Sequence, residues 1–237
     1  MEILKDFEFD FDAGLLMRKL KIAEGSEDET EFKELVNKAL SIANPKAIYL
    51  EGFVESMADD SVVINGVKFT SLTLRKNLEN TERVFAYIAT CGAELNSVKF
   101  DQYEFLKEYW WDTIKGYFLE IARNKLMGYI KKRYMLNKTA TMAPGGGEAG
   151  IWHIEQQKQL FALFGDVEKL IGVRLTETYL MIPNKSVSGI LFPTERDYSG
   201  CKLCRRKNCP GRSAEFDEEL WNSIGIEAAL KLKEKRR

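Results

Sequence analysis

The stretch LTETYLMIPNKSVSGILFPTERDYSGCKLCRRKNCPGR, residues 175–212, carries most of the information on fold and site in this chain. Its apolar runs at 175–181 and 187–192 predict two strands. Between them lies a turn of small and polar residues, Lys185–Gly189. Three of the chain's four cysteines follow in one loop: Cys201, Cys204 and Cys209. The stretch therefore predicts two strands followed by a cysteine-rich loop.

The composition is typical of a soluble globular protein. The chain has 237 residues, of which 45% are hydrophobic and 30% charged, so it can bury a substantial core. A formal net charge of -1 gives no overall field that would attract nucleic acid or an anionic membrane. No apolar run approaches the ~20 residues that span a bilayer, and the acidic N-terminus does not resemble a secretory signal. We expect a cytoplasmic protein with neither nucleic acid nor membrane as partner.

Strand and helix signals are mixed without regular alternation, which indicates the α+β class. The apolar positions between 100 and 134 recur at helical spacing and predict a long helix that forms the main packing spine. Asn65–Gly66 between two apolar runs predicts a hairpin, and the alternation in Phe7–Asp12 predicts a half-buried strand. Further strands are predicted at 47–54 and 84–89, and further helices at 14–20, 30–43, 152–164 and 213–224.

We interpret residues 1–237 as a single domain, because the chain shows no internal repeat and no low-complexity linker. The cysteine-rich loop occupies 198–212. A basic helical tail, Lys231–Arg237, ends the chain, and a solvated helix end is its expected role.

A glycine-rich segment, Met142–Gly150, follows the predicted spine helix. Consecutive backbone N–H groups without Cβ atoms can form an anion nest that binds a phosphate or carboxylate. The segment lacks the Lys-Ser/Thr of a phosphate-binding loop and does not match the dinucleotide fingerprint. A flexible connection between two helices is the alternative, and both interpretations stay open.

The serines of the 185–189 turn do not form a recognisable catalytic triad. A nucleophilic Ser186 or Ser188 would need a base, and His153 is the only histidine. The Gly-x-Ser-x-Gly pattern of a nucleophile elbow is absent. We therefore interpret both hydroxyls as turn caps or ligand contacts, and His153 as a packing or capping residue.

The cysteine loop has the spacing C-x2-C-x4-C. In a reducing compartment such a cluster more often indicates metal or redox chemistry than a disulfide. Zinc and iron–sulfur sites usually have four ligands, and Cys91, His153, a carboxylate or an exogenous group could supply the fourth. We predict a metal site at Cys201, Cys204 and Cys209 with Cys91; surface thiols without a metal are the alternative.

Several segments, in this order, resemble the reactivation domain of cobalamin-dependent methionine synthase: Ala143–Gly145, His153–Glu155, Gly172–Glu177 and Met181–Gly189. Upstream, Asn44–Ala47 and Ala89–Gly92 are similar to stand-alone relatives of that domain. The resemblance covers most of the chain, with the cysteine loop as an addition. It implies a C-shaped α+β fold in which helices flank a twisted antiparallel sheet.

In this family the domain binds S-adenosylmethionine and docks onto a corrinoid-carrying domain. There it supports reductive methylation of cobalamin that has lapsed into the Co(II) state, with an electron from a flavodoxin-like partner or an equivalent reductase. The resemblance therefore implies an accessory protein for a corrinoid-binding protein or a corrinoid-dependent methyltransferase, with cobalamin carried by the partner. It implies catalysis by placement of the methyl donor.

Position by position, the resemblance implies these cofactor-binding residues: Ala143, Pro144, Gly145, Ser186, Val187, Ser188, Gly189 and Tyr198. In the family an Arg-Pro pair precedes the Ala-Pro-Gly turn, and its Arg binds the carboxylate of S-adenosylmethionine. Here the pair is Thr141-Met142. A bidentate guanidinium contact is stronger than a neutral hydrogen bond, so this chain lacks the strongest contact that the family makes with the methyl donor.

The lost arginine and the added cysteines suggest one hypothesis. An iron–sulfur cluster or zinc in the cysteine loop would lie near the corrinoid docking face, and a cluster could pass an electron to Co(II) in place of a flavoprotein. A non-catalytic corrinoid-protein binding module with a structural zinc or iron–sulfur site is the alternative. Both hypotheses require the glycine-rich segment and the 183–189 turn to form one cleft.

Overall fold

The computed structural model describes residues 1–8, 11–147, 151–209 and 211–225. The strands are β1 (Glu2–Leu4), β2 (Lys46–Met57), β3 (Ser61–Ile64), β4 (Val67–Thr70), β5 (Arg83–Thr90), β6 (Thr139–Met142), β7 (Arg174–Leu175), β8 (Met181–Ile182) and β9 (Ser186–Pro193). The α-helices are α1 (Ala13–Leu20), α2 (Glu27–Ile42), α3 (Leu72–Asn77), α4 (Ala93–Ser97), α5 (Phe105–Arg133), α6 (Gln157–Ala162), α7 (Val167–Ile171) and α8 (Glu218–Ile224).

One seven-stranded sheet organises the described part of the chain. Its order is β4-β3-β2-β5-β9-β6, and β1 also pairs with β2. β7 and β8 form a separate two-stranded ribbon. Every strand pair among the described residues is antiparallel. An antiparallel sheet with helices on its faces confirms the predicted α+β class.

The central strands bury both of their faces, because successive side chains of a strand point to opposite sides. One face packs against α3, α6, α7 and α8 through residues that include Ile48, Ile88 and Ile190. The other face packs against the second half of α5, through side chains that include Tyr49, Phe85 and Leu191. These strands therefore form the middle layer of the core.

Helix α5 is the predicted packing spine, and it continues through Gly116 without a break. Its first half packs against α1 and α2, where Phe32, Trp110 and Ile114 are buried together. Its second half presents Ala122 and Leu126 to the sheet. The helix thus joins a helical layer to the sheet. It also has a third face, which packs against neither of them.

The hairpin prediction at Asn65–Gly66 matches the structure, in which φ is 47° at Asn65 and 75° at Gly66. Two left-handed residues in succession suit the twist of an antiparallel pair. The Asn65 side chain also accepts a hydrogen bond from the Phe53 N–H group, at 2.9 Å. The turn therefore connects β3 to β4 and is also tied to β2.

Two strand predictions are wrong. In place of a strand at 7–12, the described residues of this stretch are irregular, and Asp12 caps α1 by accepting a hydrogen bond from the Leu15 N–H group at 2.9 Å. In place of one strand at 175–181, a turn separates β7 from β8, with φ of 64° at Tyr179. Local capping and a left-handed residue override the apolar pattern in these two places.

Two helix predictions are too long. The helix predicted at 152–164 is a short 3-10 turn followed by α6, and the helix predicted at 213–224 begins only at Glu218. Asp217 fixes that start, because its side chain accepts a hydrogen bond from the Leu220 N–H group at 2.9 Å. The predicted basic tail at 231–237 lies outside the described residues.

Among the helices that the structure describes, none combines the length and the apolar character needed to cross a membrane.

Candidate functional site

The pairing of β6 with β9 brings the glycine-rich segment to residues 185–189. The turn predicted there is wrong, because residues 186–189 belong to β9 and pair with β5. Met142 pairs with Ile190, so Ala143, the first residue after β6, comes level with Gly189. A cleft of about 720 Å³ opens here between the two strands, α5 and the cysteine loop. The structure thus places the two segments on one cleft, as the sequence hypothesis requires.

Four of the predicted cofactor-binding residues line this cleft: Ala143, Gly145, Val187 and Tyr198. Tyr198 packs against Phe192, with ring centroids 6.4 Å apart, and burial raises the pKa of its hydroxyl. The other four predicted residues are absent from the lining: Pro144, Ser186, Ser188 and Gly189.

The two serines of the Ser-Val-Ser-Gly motif make contacts within the protein. Ser186 Oγ donates to Thr90 Oγ1 at 2.9 Å. Ser188 is buried and donates to Gln157 Oε1 at 2.8 Å. Because side chains alternate along β9, these two hydroxyls point away from the face that carries Val187. Of this motif, Val187 is the residue that reaches the cleft.

Gly189 is needed for close packing of the sheet. A Cβ atom at this position would lie 2.6 Å from the Met142 carbonyl oxygen and 2.9 Å from the Tyr87 hydroxyl. Real Cβ atoms do not approach so closely, so a larger residue would push β6 or Tyr87 away. The glycine therefore lets β6, β9 and Tyr87 form one wall of the cleft.

The glycine turn uses part of its own hydrogen-bonding capacity. The Gly145 N–H group donates to the Trp152 carbonyl at 2.8 Å, and the Gly146 N–H group donates to the Ala143 carbonyl at 3.0 Å. Gly145 has a φ of 77° and Gly147 of 84°, which favours glycine at both positions. Two of the donors proposed for an anion nest are therefore already engaged. His153 is exposed beside this turn and does not line the cleft.

A polar cluster that the sequence did not predict stands on the opposite side of the cleft. Tyr87 is buried in β5, and burial raises the pKa of its hydroxyl. The positive charge of Arg123 and the side chain of Thr141 oppose that rise. Glu120 lies one helical turn before Arg123, and both line the cleft. Neither makes an ion pair with another residue that the structure describes.

One signal in the sequence could have revealed these residues. Gly116, Leu119, Glu120 and Arg123 recur at helical spacing and form one face of α5. The face combines a glycine, an apolar residue and two opposite charges, which is unusual for a surface that only packs or only meets solvent. The sequence alone gave no reason to connect this face with β6.

Arg212 holds the cysteine loop in shape. Its guanidinium donates to the carbonyl of Cys204 at 2.9 Å, of Ala214 at 3.0 Å and of Cys201 at 3.4 Å. It also donates to the Arg206 carbonyl. One side chain thus binds four backbone carbonyls in and next to the loop.

Cys201 has polar hydrogen-bond partners. Its sulfur accepts hydrogen bonds from the Ser213 N–H group and from the Ser213 hydroxyl, each at 3.4 Å. These two bonds, first the one from the backbone, lower the pKa of the Cys201 thiol. The sulfur is therefore prepared for the thiolate form, which is the form that attacks electrophiles and binds metals.

The structure does not bring the four predicted metal ligands together. Cys201, Cys204 and Cys209 line the cleft, whereas Cys91 lies in the apolar cluster between α2 and α5. Burial raises the pKa of the Cys91 thiol to about 12. Within residues 1–8, 11–147, 151–209 and 211–225, no group of three or more His, Cys, Asp or Glu side chains is placed to hold a metal ion. A fourth ligand from Cys91 does not fit this arrangement.

Residues 116–209 match the family model described as vitamin B12 dependent methionine synthase, activation domain. The resemblance predicted from the sequence is confirmed. The activation-domain match begins at Gly116 and ends at Cys209, and every residue that lines the cleft falls inside it except Tyr87. The described cleft is therefore a feature of the matched region.

A solved structure shows the same fold. The chain is similar to the MetH reactivation domain bound to AdoHcy, with a TM-score of 0.55 and 15% sequence identity over 84% of this chain and 81% of that chain. At this identity the likeness concerns the arrangement of the elements. No curated protein matches the chain in sequence.

Proposed function

We propose that this chain is a cytoplasmic accessory protein that docks on a corrinoid-binding protein and supports the reductive reactivation of its cobalt. S-adenosylmethionine would bind in the cleft. The activation-domain match supports the role. The solved structure of similar fold is described as bound to AdoHcy, the product that remains when S-adenosylmethionine has given up its methyl group.

The observation that carries this proposal is the pairing of β6 with β9. It sets the Ala143–Gly147 turn and Val187 on one cleft, opposite a face of α5. The cleft volume of about 720 Å³ lies within the range of roughly 300–1,000 Å³ typical of small-molecule sites. Leu119, Val187 and Tyr198 offer apolar surface, and Glu120 and Arg123 offer charge.

The chemistry implied by the family depends on how the methyl donor is positioned. The partner's Co(II) gains one electron and then takes the methyl group of the sulfonium, which leaves as S-adenosylhomocysteine. The residues of this chain hold the donor in one orientation and keep it open to the partner, and such positioning alone can supply a large part of a rate enhancement. The electron would come from a flavodoxin-like protein or another reductase.

The test is calorimetric titration of the chain with S-adenosylmethionine and S-adenosylhomocysteine, followed by a reactivation assay on a corrinoid protein held in the Co(II) state. Gly116 and Gly128 of α5 provide a matched pair of variants. Gly116 lines the cleft, whereas nothing lies within 4 Å of a Cβ atom at Gly128. We expect Gly116→Phe to weaken binding by at least about tenfold and Gly128→Phe to leave it unchanged. Equal binding by both variants, or no binding by the unmodified chain, contradicts the proposal.

A corrinoid-protein binding module with a zinc or iron–sulfur site is the second candidate. The observation in its favour is that three thiols line the same cleft and that Cys201 Sγ accepts two hydrogen bonds. Hydrogen bonds to ligand sulfurs tune such sites. In this candidate the metal would be structural, and the module would have no turnover of its own.

Metal and acid-labile sulfide analysis of anaerobically purified protein decides this second candidate. Visible absorbance with iron and sulfide that disappears in Cys204→Ser, and persists in Cys91→Ala, supports a cluster in the loop. Stoichiometric zinc without binding of S-adenosylmethionine supports the binding module. A colourless, metal-free protein excludes both forms of it.

A further inference from the structure

We propose that Cys201 and Cys204 form a dithiol that exchanges reversibly with an anionic disulfide and thereby becomes the Cys201–Cys204 disulfide. The inference goes beyond the proposed function, because it requires neither S-adenosylmethionine nor a corrinoid partner. A metal needs several ligands placed around it, and the described part of the chain holds no such group of three or more His, Cys, Asp or Glu side chains. A disulfide needs only two sulfur atoms, and both of these cysteines are free thiols.

The two cysteines stand at the ends of one hydrogen-bonded turn. Cys201 lies in the 3-10 turn Gly200–Leu203, and the Cys204 N–H group donates to the Cys201 carbonyl at 3.2 Å. In such a turn, side chains three residues apart lie on the same side, and their Cα atoms are less than about 7 Å apart. Disulfides span Cα distances of roughly 4.4–6.8 Å. The backbone therefore allows a bond between the two sulfurs.

Three sets of contacts fix this turn. Leu203, which lies between the two cysteines, is fully buried. The Arg212 guanidinium donates to the carbonyls of both cysteines. The Asp217 N–H group donates to the Lys202 carbonyl at 2.9 Å and ties the turn to the start of α8. The backbone positions of the two cysteines are therefore set before their sulfurs react.

The surroundings of the two sulfurs assign a role to each. The Ser213 N–H group and hydroxyl both donate to Cys201 Sγ, and such donors stabilise the negative charge that a sulfur carries when it attacks or leaves a disulfide. Cys201 is therefore the attacking residue, and Cys204 resolves the intermediate. Both are partly exposed and line the cleft, so a disulfide in solution can reach them, whereas Cys91 is fully buried.

The charges beside the pair favour an anionic disulfide. Arg206 lines the cleft with the cysteines, and its chain neighbours Arg205 and Lys207 are exposed. The ammonium of Lys202 lies 2.7 Å from the Asp197 carboxylate, so its charge is largely balanced. Positive groups around a reacting site speed the approach of anions and slow that of cations. A small disulfide that carries carboxylates, such as glutathione disulfide, fits this environment.

The exchange takes place in two balanced steps. Cys201 Sγ attacks one sulfur of the external disulfide, forms a mixed disulfide and releases one thiolate. Cys204 Sγ then attacks Cys201 Sγ, which closes the internal disulfide and releases the second thiolate. The protons of the two original thiols end on the two released thiolates. The two electrons of the dithiol reduce the external disulfide, and an excess of the external thiol reverses both steps.

The experiment exposes the reduced full chain to buffers with different ratios of glutathione to glutathione disulfide. Acid quenching, alkylation of the remaining thiols and peptide mapping by mass spectrometry then identify each bond, and metal content is measured in the same sample. We expect the Cys201–Cys204 disulfide to form reversibly while Cys91 stays reduced. Cys204→Ser should accumulate the mixed disulfide on Cys201, because the resolving thiol is absent. Cys209→Ser is the matched control from the same loop and should form the internal disulfide as the unmodified chain does.

The substrate class is tested with cystamine, a small disulfide that carries positive charge. Each rate is divided by the rate of the same disulfide with the urea-unfolded chain, which removes the difference in intrinsic reactivity. We expect glutathione disulfide to react at least about threefold faster than cystamine at low ionic strength, and the difference to shrink in high salt. Arg206→Gln should reduce the preference, because it removes a charge that lines the cleft.

Four results overturn the inference. Loop thiols that stay reduced at every buffer ratio would show that no exchange takes place. A disulfide that joins Cys209 to either of the other two would assign the wrong pair. Zinc or iron that keeps the loop thiols from reacting would make the loop a metal site. A preference for cystamine would overturn the assigned substrate class. Binding of S-adenosylmethionine is measured separately, so the proposed function stands or falls independently of these outcomes.

Discussion

The two ends of β9 are held by different kinds of interaction. Before the strand, charged side chains fix the 183–185 turn to α5: Lys185 Nζ lies 2.6 Å from Asp112 Oδ2, and Asn184 donates to Asp112 Oδ1 at 3.1 Å. After the strand, the Arg212 guanidinium binds backbone carbonyls of the cysteine loop. Asp112 ties the first end to α5, whereas Arg212 ties the loop after the second end to its own backbone. Cys201, Cys204 and Cys209 of that loop line the cleft.

The cysteines near the two ends of β9 differ in burial and in the pKa of the thiol. The Cys91 N–H group donates to the Lys185 carbonyl at 3.0 Å, and its thiol is fully buried with a pKa raised to about 12. Cys201 is partly exposed, and hydrogen bonds from Ser213 lower the pKa of its thiol. The pKa of the thiol is therefore raised at one end of the strand and lowered at the other, which favours the thiolate at Cys201 over Cys91.

The largest effect is expected from Gly189→Ala, which disturbs the strand that joins the two ends. A Cβ atom 2.6 Å from the Met142 carbonyl oxygen forces β6 and β9 apart. We expect the free energy of unfolding to fall by about 2–3 kcal/mol in urea titrations. Gly128→Ala is the control, and we expect it to stabilise the chain by about 0.5–1 kcal/mol because the site on α5 is open. Unchanged stability of Gly189→Ala would show that the sheet relaxes around the methyl group.

Arg212→Ala should affect only the cysteine loop that follows β9. It leaves several carbonyls of the cysteine loop without their donor, and we expect a loss of about 1–2 kcal/mol. Hydrogen exchange should become faster in the loop and stay unchanged in β9 and α5. Arg212→Lys should behave much like the alanine variant, since an ammonium cannot reach all the carbonyls at once. Faster exchange throughout the sheet would mean that the loop is part of the core.

Asp112→Asn should affect the 183–185 turn that precedes β9. Burial raises the pKa of the Asp112 carboxyl, but hydrogen bonds from Lys185 and Asn184 outweigh it and leave the pKa below its ordinary value. Because Asp112 is 41% exposed, we expect only about 0.5–1 kcal/mol at pH 7. A lowered folded-state pKa means that this contribution is present above the unfolded pKa of about 3.9 and is lost as the pH falls through the folded pKa.

The measurement for Asp112 is the difference in unfolding free energy between the two proteins as a function of pH. The difference should be largest near neutral pH and shrink in acid. Asp59→Asn is the control, because Asp59 is exposed in the turn between β2 and β3. A difference that does not depend on pH would rule out the charge of Asp112 as its source.

The smallest effect is expected from Ser213→Ala, which removes one of the two hydrogen bonds on Cys201 Sγ and keeps the backbone one. The pKa of the thiol should rise, and alkylation of Cys201 by iodoacetamide at pH 7 should slow by about two- to threefold. Cys91 should stay unmodified in both proteins until they unfold. Peptide mapping by mass spectrometry follows the two cysteines separately. Equal rates for Cys91 and Cys201 in the folded chain would contradict the comparison.

The elements with strong local signals could be predicted from the sequence. The apolar spacing of α5 and the Asn65–Gly66 turn are local patterns that depend on a few neighbouring residues. Both predictions match the structure. The resemblance located the glycine turn and the 183–189 segment, and the structure places both on one cleft. Ser188 could not be interpreted in this way, because its partner is Gln157, on a helix packed against the other face of the sheet.

The part of the site that escaped prediction depends on tertiary contacts. From the sequence, Tyr87 is one residue of a predicted buried strand, and Arg123 is one charge on a predicted long helix. They line one cleft with Thr141 because of how β5, β6 and α5 pack. The Leu175–Met181 strand failed for a local reason, since Tyr179 adopts a left-handed conformation that no apolar pattern reveals.

The Arg212 contacts fix the backbone of the cysteine loop from within the protein. A group that binds there would meet a preorganised backbone, so less entropy of ordering would oppose its binding. The fold of this chain should therefore not depend on such a group, in contrast to small zinc domains that lose their structure with the metal.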